Sequence, residues 1–347
     1  PLTMLFGDLP ITDIKVSTDE KTFFNDGVSS EHSFKETLKN VLQHPTVASK
    51  SFLITIGDRT VGGMVARDQF IGPYQVPVSD YSMSLRSFTS SGGEVLTIGE
   101  KPTIAINNSA ASMRMAMAEA LLNMSGVYIK GLDEVQVSAN WMAATGEGVE
   151  DLSLRDGVEA LSECCVSLNI SVPVGKDSLS MKTKWQEDKS DYVVKSPLSG
   201  VITAMAPVED VRVAVTPELD TDIQSKILHV KLNDKKRLAG SIFSQVTESQ
   251  FQETPDIDDM QLLKIMFNTV QGLVAQNKIL ALHDISDGGL MITLLEMAFT
   301  KKVGLDLSLD KLAKDDLNST FFSEEAGIVI QVAEKFFDEI THELTKV

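Results

Sequence analysis

The stretch His283-Asp284-Ile285-Ser286-Asp287-Gly288-Gly289 joins an apolar segment, 279–283, to a segment with helical spacing of apolar residues, 288–299. A strand that ends in acidic and hydroxyl side chains and then leads into a helix is typical of the ligand-binding edge of an open α/β sheet. Its two aspartates offer oxygen ligands to a cation, and its serine and glycines let a phosphate approach backbone N–H groups. The alternative interpretation is an ordinary capping turn that binds nothing.

Outward from this stretch, strand-like and helix-like segments alternate along the chain, which predicts an α/β fold of mixed α+β character. Strands are predicted at 51–56 and 61–65, which form a hairpin, and at 76–80, 103–106, 135–139, 170–174, 198–206, 227–230, 279–283 and 327–332. Helices are predicted from a capping box at 33–36 up to His44-Pro45, from about 109 to 124, and over 152–168, 260–275, 288–299 and 334–344.

A polar, proline-containing join at 208–220 predicts a domain boundary between about 207 and 225. We expect a connecting segment at 1–30, an N-terminal α/β domain at 31–210 and a C-terminal α/β domain at 221–347. At roughly 150 residues per domain, the 347 residues fit two domains. The chain starts without an initiator methionine or a signal peptide, and it stops before the strand that would normally cover its last helix. We therefore expect it to be part of a longer chain.

The composition excludes several classes of protein. With 49 acidic residues against 31 basic ones, the net charge is −18, which argues against nucleic-acid binding. Every apolar run is much shorter than the roughly 18 residues of a membrane span. Phosphates can still be bound locally, by metal ions and backbone N–H groups. The only cysteines, Cys164 and Cys165, are adjacent, which excludes a disulfide framework within the chain and favours core packing in a cytoplasmic protein.

Acidic and amide side chains outside the opening stretch are candidate metal ligands. Glu119 and Asn123 lie four residues apart on a predicted helix rich in Met, Ala and Leu, so they share one face of it. Buried there, they would need a partner such as Mg²⁺, which prefers oxygen ligands. The alternative is that Glu119 lies in water at the helix edge. Asp80, which ends the short predicted strand 76–80, is a further candidate.

Two lysine-containing segments are candidates for phosphate contacts. Lys50 precedes the predicted strand 51–56 and could contact a phosphate, although a solvated edge charge is the simpler interpretation. The segment 174–182 is rich in Gly, Lys and hydroxyl groups but lacks the spacing of a Walker loop, so an anion contact and a plain polar turn both remain open.

Several segments in fixed order are more specific than any one of them. They are HPTVASK (44–50), ARDQ (66–69) with GPYQVPVSD (72–80), SANWM (138–142), PVGKDS (173–178) and HDISDGG (283–289). In these segments the chain resembles the second half of the synthetase region of the large, single-chain phosphoribosylformylglycinamidine synthases. The resemblance covers nearly the whole chain.

The resemblance implies a two-domain fold like that of aminoimidazole ribonucleotide synthetase. An N-terminal sheet domain pairs with a counterpart, and an α/β domain follows it. In the family, two such halves form an internal pseudo-dimer, and a glutaminase domain follows them. The implied reaction converts formylglycinamide ribonucleotide to its amidine in de novo purine synthesis. ATP phosphorylates the amide oxygen, and ammonia from glutamine displaces the phosphate.

The resemblance also implies roles for individual residues. It assigns Mg²⁺ ligation to four side chains and contacts with ATP or ADP to three others. The implied ligands are Asp80, Glu119, Asn123 and Asp284, and the implied nucleotide contacts are Lys50, Ser79 and Ser286. It assigns no catalytic residue to this half, since the family's catalytic histidine belongs to the first half. Asn107-Asn108-Ser109 departs from the family, in which an Asp is expected near the metal-binding helix.

The implied partners are the first synthetase half and the glutaminase domain, since no residue set here fits a glutaminase nucleophile. Without that first half, the N-terminal sheet is expected to expose an apolar face and to make the chain self-associate. Two alternatives remain open. The chain is a catalytically inert half that holds a nucleotide, or it belongs to another ATP-dependent synthetase or kinase of the same superfamily.

Overall fold

The computed structural model describes residues 7, 33–57, 59–60, 62–146, 148–308 and 316–346. Apart from Gly7, the predicted connecting segment 1–30 lies outside the described residues. The strands are β1 Ser82–Leu85, β2 Gly93–Gly99, β3 Gln136–Met142, β4 Ser171–Ser178, β5 Lys182–Glu187, β6 Ser190–Lys195, β7 Ser199–Val208, β8 Ser225–Lys231, β9 Ile279–Asp284 and β10 Gly327–Ala333. The α-helices are α1 Phe34–Gln43, α2 Ser51–Ile56, α3 Pro102–Ala105, α4 Ser109–Met124, α5 Val149–Leu168, α6 Ile242–Val246, α7 Met260–Ala275, α8 Gly289–Lys301, α9 Leu317–Phe322 and α10 Phe337–Leu344.

The N-terminal half is built on a five-stranded sheet with the order β1-β2-β7-β3-β4. Strands β3 and β4 run parallel, and the other neighbours run antiparallel. Buried and less buried residues alternate along β2 and β7, because one face packs on α4. The α4 sequence is rich in Ala, Met and Leu and is buried almost all round, between this sheet and α5. Asn108 begins α4 by accepting a hydrogen bond from the Ala111 N–H, so the amide that departs from the family acts as the helix cap.

The C-terminal half is built on a three-stranded antiparallel sheet with the order β8-β10-β9. The central strand β10 is buried along its whole length. Helix α7 packs against α10 and also against α4 and α5 of the N-terminal half. One hydrophobic cluster therefore continues from the five-stranded sheet through α4 to α7 and β10, and it fixes the two sheets relative to each other.

Segments 51–56 and 103–106 were predicted as strands but form helices. Segment 51–56 is helix α2, which starts at Lys50 with hydrogen bonds from the Leu53 and Ile54 N–H groups to the Lys50 carbonyl. Its predicted hairpin partner instead contributes Val65 to a single bridge with Ser84. Segment 103–106 belongs to helix α3, where Pro102 at the first turn supplies a φ suited to a helix.

Other differences concern strand ends and strands that were not predicted. Strand β4 continues to Ser178, so the lysine of the predicted phosphate segment, Lys176, lies on an edge strand and contacts Ser178. Within 76–80 only Val78 makes a bridge, to Phe70. Strands β1, β2, β5 and β6 were not predicted; β5 and β6 form a separate, largely exposed hairpin. None of the helices in the described part of the chain combines the length and apolar character that crossing a bilayer requires.

Candidate functional site

The candidate site lies at the carboxyl end of β9, where the chain turns into α8. Gly288 and Gly289 both have positive φ, and a Cβ on Gly289 would lie 2.6 Å from the Ser323 carbonyl oxygen. Glycine is therefore required at position 289 because the backbone there packs closely against the backbone at the end of α9. This contact holds Ser286 and Asp287 at the mouth of a cavity between the two halves.

The first cluster consists of Asp80, His283 and Asp284, whose potential ligand atoms lie within 4.8 Å of one another. Nδ1 of His283 lies 3.0 Å from Oδ1 of Asp80 and 3.4 Å from Oδ1 of Asp284. On the other side of the ring, Nε2 lies 2.8 Å from Oε2 of Glu296. His283 is only 7% exposed, and its Nδ1 has no hydrogen-bond partner among the described residues. Two carboxylates and one imidazole nitrogen thus point at the same buried space.

The charges of this first cluster depend strongly on one another. Burial raises the pKa of Asp80 to about 6, although nearby His283 opposes the shift. Burial alone would lower the pKa of His283, but the carboxylates of Asp80, Asp284 and Glu296 raise it well above its usual value. The cluster therefore holds positive charge, either as a proton or as a cation.

The second cluster surrounds the buried ammonium of Lys101. Its Nζ lies 2.8 Å from Oε1 of Glu119, 2.8 Å from Oδ1 of Asp287 and 2.9 Å from Oγ of Ser286. The Ser286 hydroxyl also donates to Glu119, whose second oxygen accepts from the Glu100 N–H at 2.7 Å. Burial raises the pKa of Glu119 to about 6, with Lys101 opposing the shift. An internal cation thus already neutralises one of the predicted metal ligands.

A buried carboxylate joins the site loop to the rest of the C-terminal half. Glu324 is 2% exposed, and its Oε1 accepts from the Ile242 N–H at 2.8 Å and from the Gly288 N–H at 2.9 Å. Burial and the nearby charge of Asp287 raise the pKa of Glu324 to about 8, while Lys101 opposes them. The side chain therefore couples the start of α6 to the turn that begins α8.

The structure brings together some of the sequence-predicted residues and leaves others apart. Asp80 and Asp284 lie on either side of Nδ1 of His283, and Glu119 and Ser286 are hydrogen-bonded to each other and share the Lys101 ammonium. The Asn123 amide donates to the Ile98 carbonyl at 3.0 Å, and the Ser79 hydroxyl donates to the Tyr81 carbonyl at 2.7 Å.

Lys50 lines the cavity beside this site. Its ammonium donates to the carbonyls of Pro45, Thr46 and Ala48, each at 2.7 Å. Burial lowers the pKa of Lys50, with Glu296 and Asp287 opposing the shift. The cavity measures about 230 Å³ and is also lined by 46–49, 76–78, Ser286, Asp287, Ile292 and Glu296. A larger cavity of about 620 Å³, on α5 and β4, has no charged lining residue and lies away from these groups.

The sequence interpretation did not identify Lys101, Glu296 or Glu324 as part of this site. Lys101 directly precedes the proline that begins α3, and Glu324 is one of two adjacent acidic residues before β10. Both patterns are as common at exposed positions as at buried ones. His283 was quoted in the opening motif, but no role was given to it. Its position at the end of a buried strand was the one signal available.

Two family models together match most of the chain. Residues 49–207 match the FGAR-AT PurM_N-like domain, and residues 225–347 match the AIR synthase related protein, C-terminal domain. The two sheets and these matches define a two-domain protein of AIR synthase-like fold. This result confirms the predicted fold class. Each of the two domains thus matches a domain family of the AIR synthase type.

Solved structures of low sequence identity share this fold. PurLQS from Thermotoga maritima is 14% identical with a TM-score of 0.56, over 91% of this chain and 46% of that chain. T. maritima PurL complexed with FGAR is 10% identical with a TM-score of 0.53, over 90% and 44% of the two chains. T. maritima PurL complexed with ADP is 11% identical with a TM-score of 0.52, over 78% and 39%. The chain thus spans less than half the length of these proteins.

Proposed function

We propose that this chain is the nucleotide-holding second half of an ATP-dependent synthetase that converts formylglycinamide ribonucleotide to its amidine. The observation that carries the proposal is the meeting of Asp80 and Asp284 at the end of β9, beside a cavity lined by Lys50, Ser286 and Asp287. The fold is shared with PurL proteins solved with ADP and with FGAR, which supports the same assignment.

The side chains present fit a divalent cation. The carboxylates of Asp80 and Asp284 are buried and lie 3.0 and 3.4 Å from Nδ1 of His283. A bound Mg²⁺ would neutralise phosphate charge there. Oε1 of Glu119 is already paired with Lys101, while Asn123 donates through Nδ2 to the Ile98 carbonyl and keeps its Oδ1 as a possible ligand. We assign the primary ligation to Asp80 and Asp284, which share the buried cluster around His283, and an auxiliary role to Glu119 and Asn123.

The cavity residues bind and orient the nucleotide in this proposal. Lys50 presents an ammonium that its three carbonyl partners hold in place, and this ammonium would add positive charge beside a phosphate. Ser286 offers a hydroxyl at the mouth of the cavity, and Ser79 lies beside Asp80 in the chain. A cavity of about 230 Å³ is smaller than a whole nucleotide site, so the base would extend into solvent or against a partner.

Lys50→Met is expected to weaken Mg²⁺-dependent ADP binding about tenfold, since it removes a positive charge beside the phosphates, an attraction of roughly 1–4 kcal/mol at 4 Å between water and the protein surface. Titration with a fluorescent ADP analogue measures the affinity. Lys39→Met, which removes an exposed lysine on α1, serves as the matched control and should bind like the wild type. Equal affinities in all three proteins would contradict the assignment of Lys50.

A catalytically inert, nucleotide-holding half is the second candidate. The ion pair of Glu119 with Lys101 favours it, because this carboxylate is already neutralised without a metal ion. A phosphate-release assay with formylglycinamide ribonucleotide, ATP and ammonium separates the candidates. Turnover by this chain alone would exclude the inert half, and turnover only with the first half added would support it. Denaturing the purified chain and identifying any released nucleotide tests the site itself.

The proposed partners are the first synthetase half and the glutaminase domain, in a cytoplasmic enzyme. The open face of the N-terminal sheet supports such a partner. Ile98 and Val174 are each 56% exposed and lie in one cross-strand row with Thr203 and Ser138. Exposed Ile and Val side chains in a row of otherwise small residues are typical of a sheet face that another sheet covers.

In the absence of that partner, the chain is expected to self-associate at micromolar concentration. Val174→Glu should weaken the association at least tenfold, because it replaces an exposed apolar side chain of the open sheet face by a charge. Ile265→Glu, on an exposed position of α7, is the control and should not change it. Sedimentation velocity measures the outcome, and a wild-type chain that is monomeric throughout would contradict the prediction.

A further inference from the structure

We propose that a relay of two arginines and two carboxylates fixes the two walls of the proposed nucleotide site relative to each other. This arginine relay runs from helix α4 towards the site turn at 286–289, and its members are Arg114, Asp256, Arg237 and Glu325. They are positioning residues, since none of the four lines the site cavity. The inference rests on the proposed function for the identity of the site, and it adds the device that holds the site in shape.

The relay begins on α4, the helix that carries Glu119. Nε of Arg114 donates to Oδ1 of Asp256 at 2.7 Å, and Nη2 donates to Oδ2 at 2.7 Å. Two parallel charge-assisted hydrogen bonds fix the orientation of the partners as well as their distance. Five residues separate Arg114 from Glu119, which places them about 140° apart around the helix. Arg114 therefore holds α4 from another side, while Glu119 faces the site.

The relay continues through the buried guanidinium of Arg237. Its Nη2 donates to the main-chain carbonyl of Asp256 at 2.7 Å. The same guanidinium makes a second two-bond contact, from Nε to Oε1 and from Nη2 to Oε2 of Glu325, both at 2.7 Å. Asp256 thus joins the two arginines, one through its carboxylate and one through its carbonyl. Helix α4 cannot shift relative to Arg237 without breaking one of these hydrogen bonds.

The segment 323–325 joins the relay to the site turn. All three of its residues are polar and buried, although such residues are mostly exposed in proteins. Oε1 of its central residue, Glu324, accepts from the Gly288 N–H at 2.9 Å. The first carbonyl of the segment packs so closely on Gly289 that a Cβ there would lie 2.6 Å from it. Because Arg237 fixes this segment, it also fixes the turn that presents hydroxyl and carboxylate groups to the cavity.

The relay connects the two elements whose side chains build one wall each of the site. Glu119 of α4 and Ser286 of the turn are hydrogen-bonded to each other, so the site exists only while these elements keep their distance. Buried ion pairs add little net stability compared with apolar packing, whereas a two-bond arginine contact specifies geometry. Supporting groups of this kind hold binding residues within about 0.5 Å of the productive arrangement. Loosening one joint should therefore weaken nucleotide binding without any contact to the nucleotide.

Hydrogen exchange of the full chain tests the relay without nucleotide. Arg114→Gln removes the less buried joint, and the Gly288 and Gly289 amides are expected to exchange about tenfold faster than in the wild type. Arg155→Gln removes an exposed arginine of α5 and is the matched control, which should leave these amides unchanged. The amides of β10 report any global loss of stability. If the two glycine amides accelerated no more than those of β10, the proposal would be wrong.

A second variant separates geometry from charge. Arg237→Lys keeps the buried positive charge but loses the two-bond contact, so it should accelerate the same two amides. In the double variant with Arg114→Gln, the acceleration should be smaller than the product of the two single accelerations, because both substitutions open the same path. Accelerations that multiply fully would show two independent contacts and would contradict a continuous relay.

Titration with ADP in the presence of Mg²⁺ connects the relay to the proposed function. Folded Arg114→Gln is expected to bind ADP about three- to tenfold more weakly than the wild type, while Arg155→Gln should bind equally well. An unchanged affinity in Arg114→Gln would overturn the positioning role. A wild-type chain that binds no ADP would instead refute the proposed function, and the exchange measurement would still decide whether the relay holds the turn.

Discussion

Replacing Lys101 by methionine is expected to lower the free energy of unfolding by about 3–5 kcal/mol, the usual result of removing one partner from a buried ion pair. The ammonium is 4% exposed and lies 2.8 Å from carboxylate oxygens of both Glu119 and Asp287. Methionine has a similar length but supplies no charge, so the carboxylates of Glu119 and Asp287 lose their counter-charge. Urea unfolding followed by circular dichroism measures the loss.

Two further measurements separate this electrostatic effect from a packing effect. Lys39→Met on the exposed side of α1 should change stability by less than about 0.5 kcal/mol. Adding Glu119→Gln to the Lys101 variant should recover part of the loss. The double variant removes the buried carboxylate charge that the single variant leaves without a counter-charge. Millimolar Mg²⁺ should raise the melting temperature of the Lys101 variant more than that of the wild type. A loss below about 1 kcal/mol would show that the ammonium does not neutralise this cluster.

The same variant should recover stability in acid. Burial already raises the pKa of Glu119 to about 6 with Lys101 present, and removing the cation raises it further. A carboxylate whose folded-state pKa lies above its unfolded value stabilises the fold at low pH and loses that contribution as the pH rises. The deficit of the Lys101 variant should therefore be smaller at pH 5 than at pH 8.

Segments with strong periodicity were predicted well from the sequence. Helix 260–275 matches α7 in full, because its apolar spacing reflects a face buried against other helices. Segment 51–56 was not predicted correctly, since its β-branched residues favour a strand, whereas the Lys50 carbonyl accepts from the Leu53 and Ile54 N–H groups in a first helical turn. The pairing of Asp80 with Asp284 was expected only from the resemblance, because 204 positions of sequence separate them (284 − 80).

Contacts between distant segments explain what the sequence could not predict at the site. Lys101 is buried by Glu119 on α4 and by Asp287 after β9, and neither distance can be inferred from spacing. Glu324 is tied to Ile242 and Gly288 in the same way. An isolated Lys or Glu has no pattern that separates a surface position from a buried one, so residues of this kind become visible only when the fold brings their partners together.

Glu324→Ala is expected to lower the free energy of unfolding by about 2–6 kcal/mol, because two buried N–H groups lose their acceptor at about 1–3 kcal/mol each. Glu324→Gln keeps the carbonyl acceptor and should stay within about 1 kcal/mol of the wild type at pH 7. Burial raises the pKa of Glu324 from 4.5 to about 8, so its contribution is full below pH 4.5 and is lost as the pH rises through about 8. Glu324→Gln should therefore unfold with less pH dependence than the wild type between pH 5 and pH 9. If glutamine destabilised the chain as much as alanine, the role of this side chain as a neutral acceptor for the Gly288 turn would be wrong.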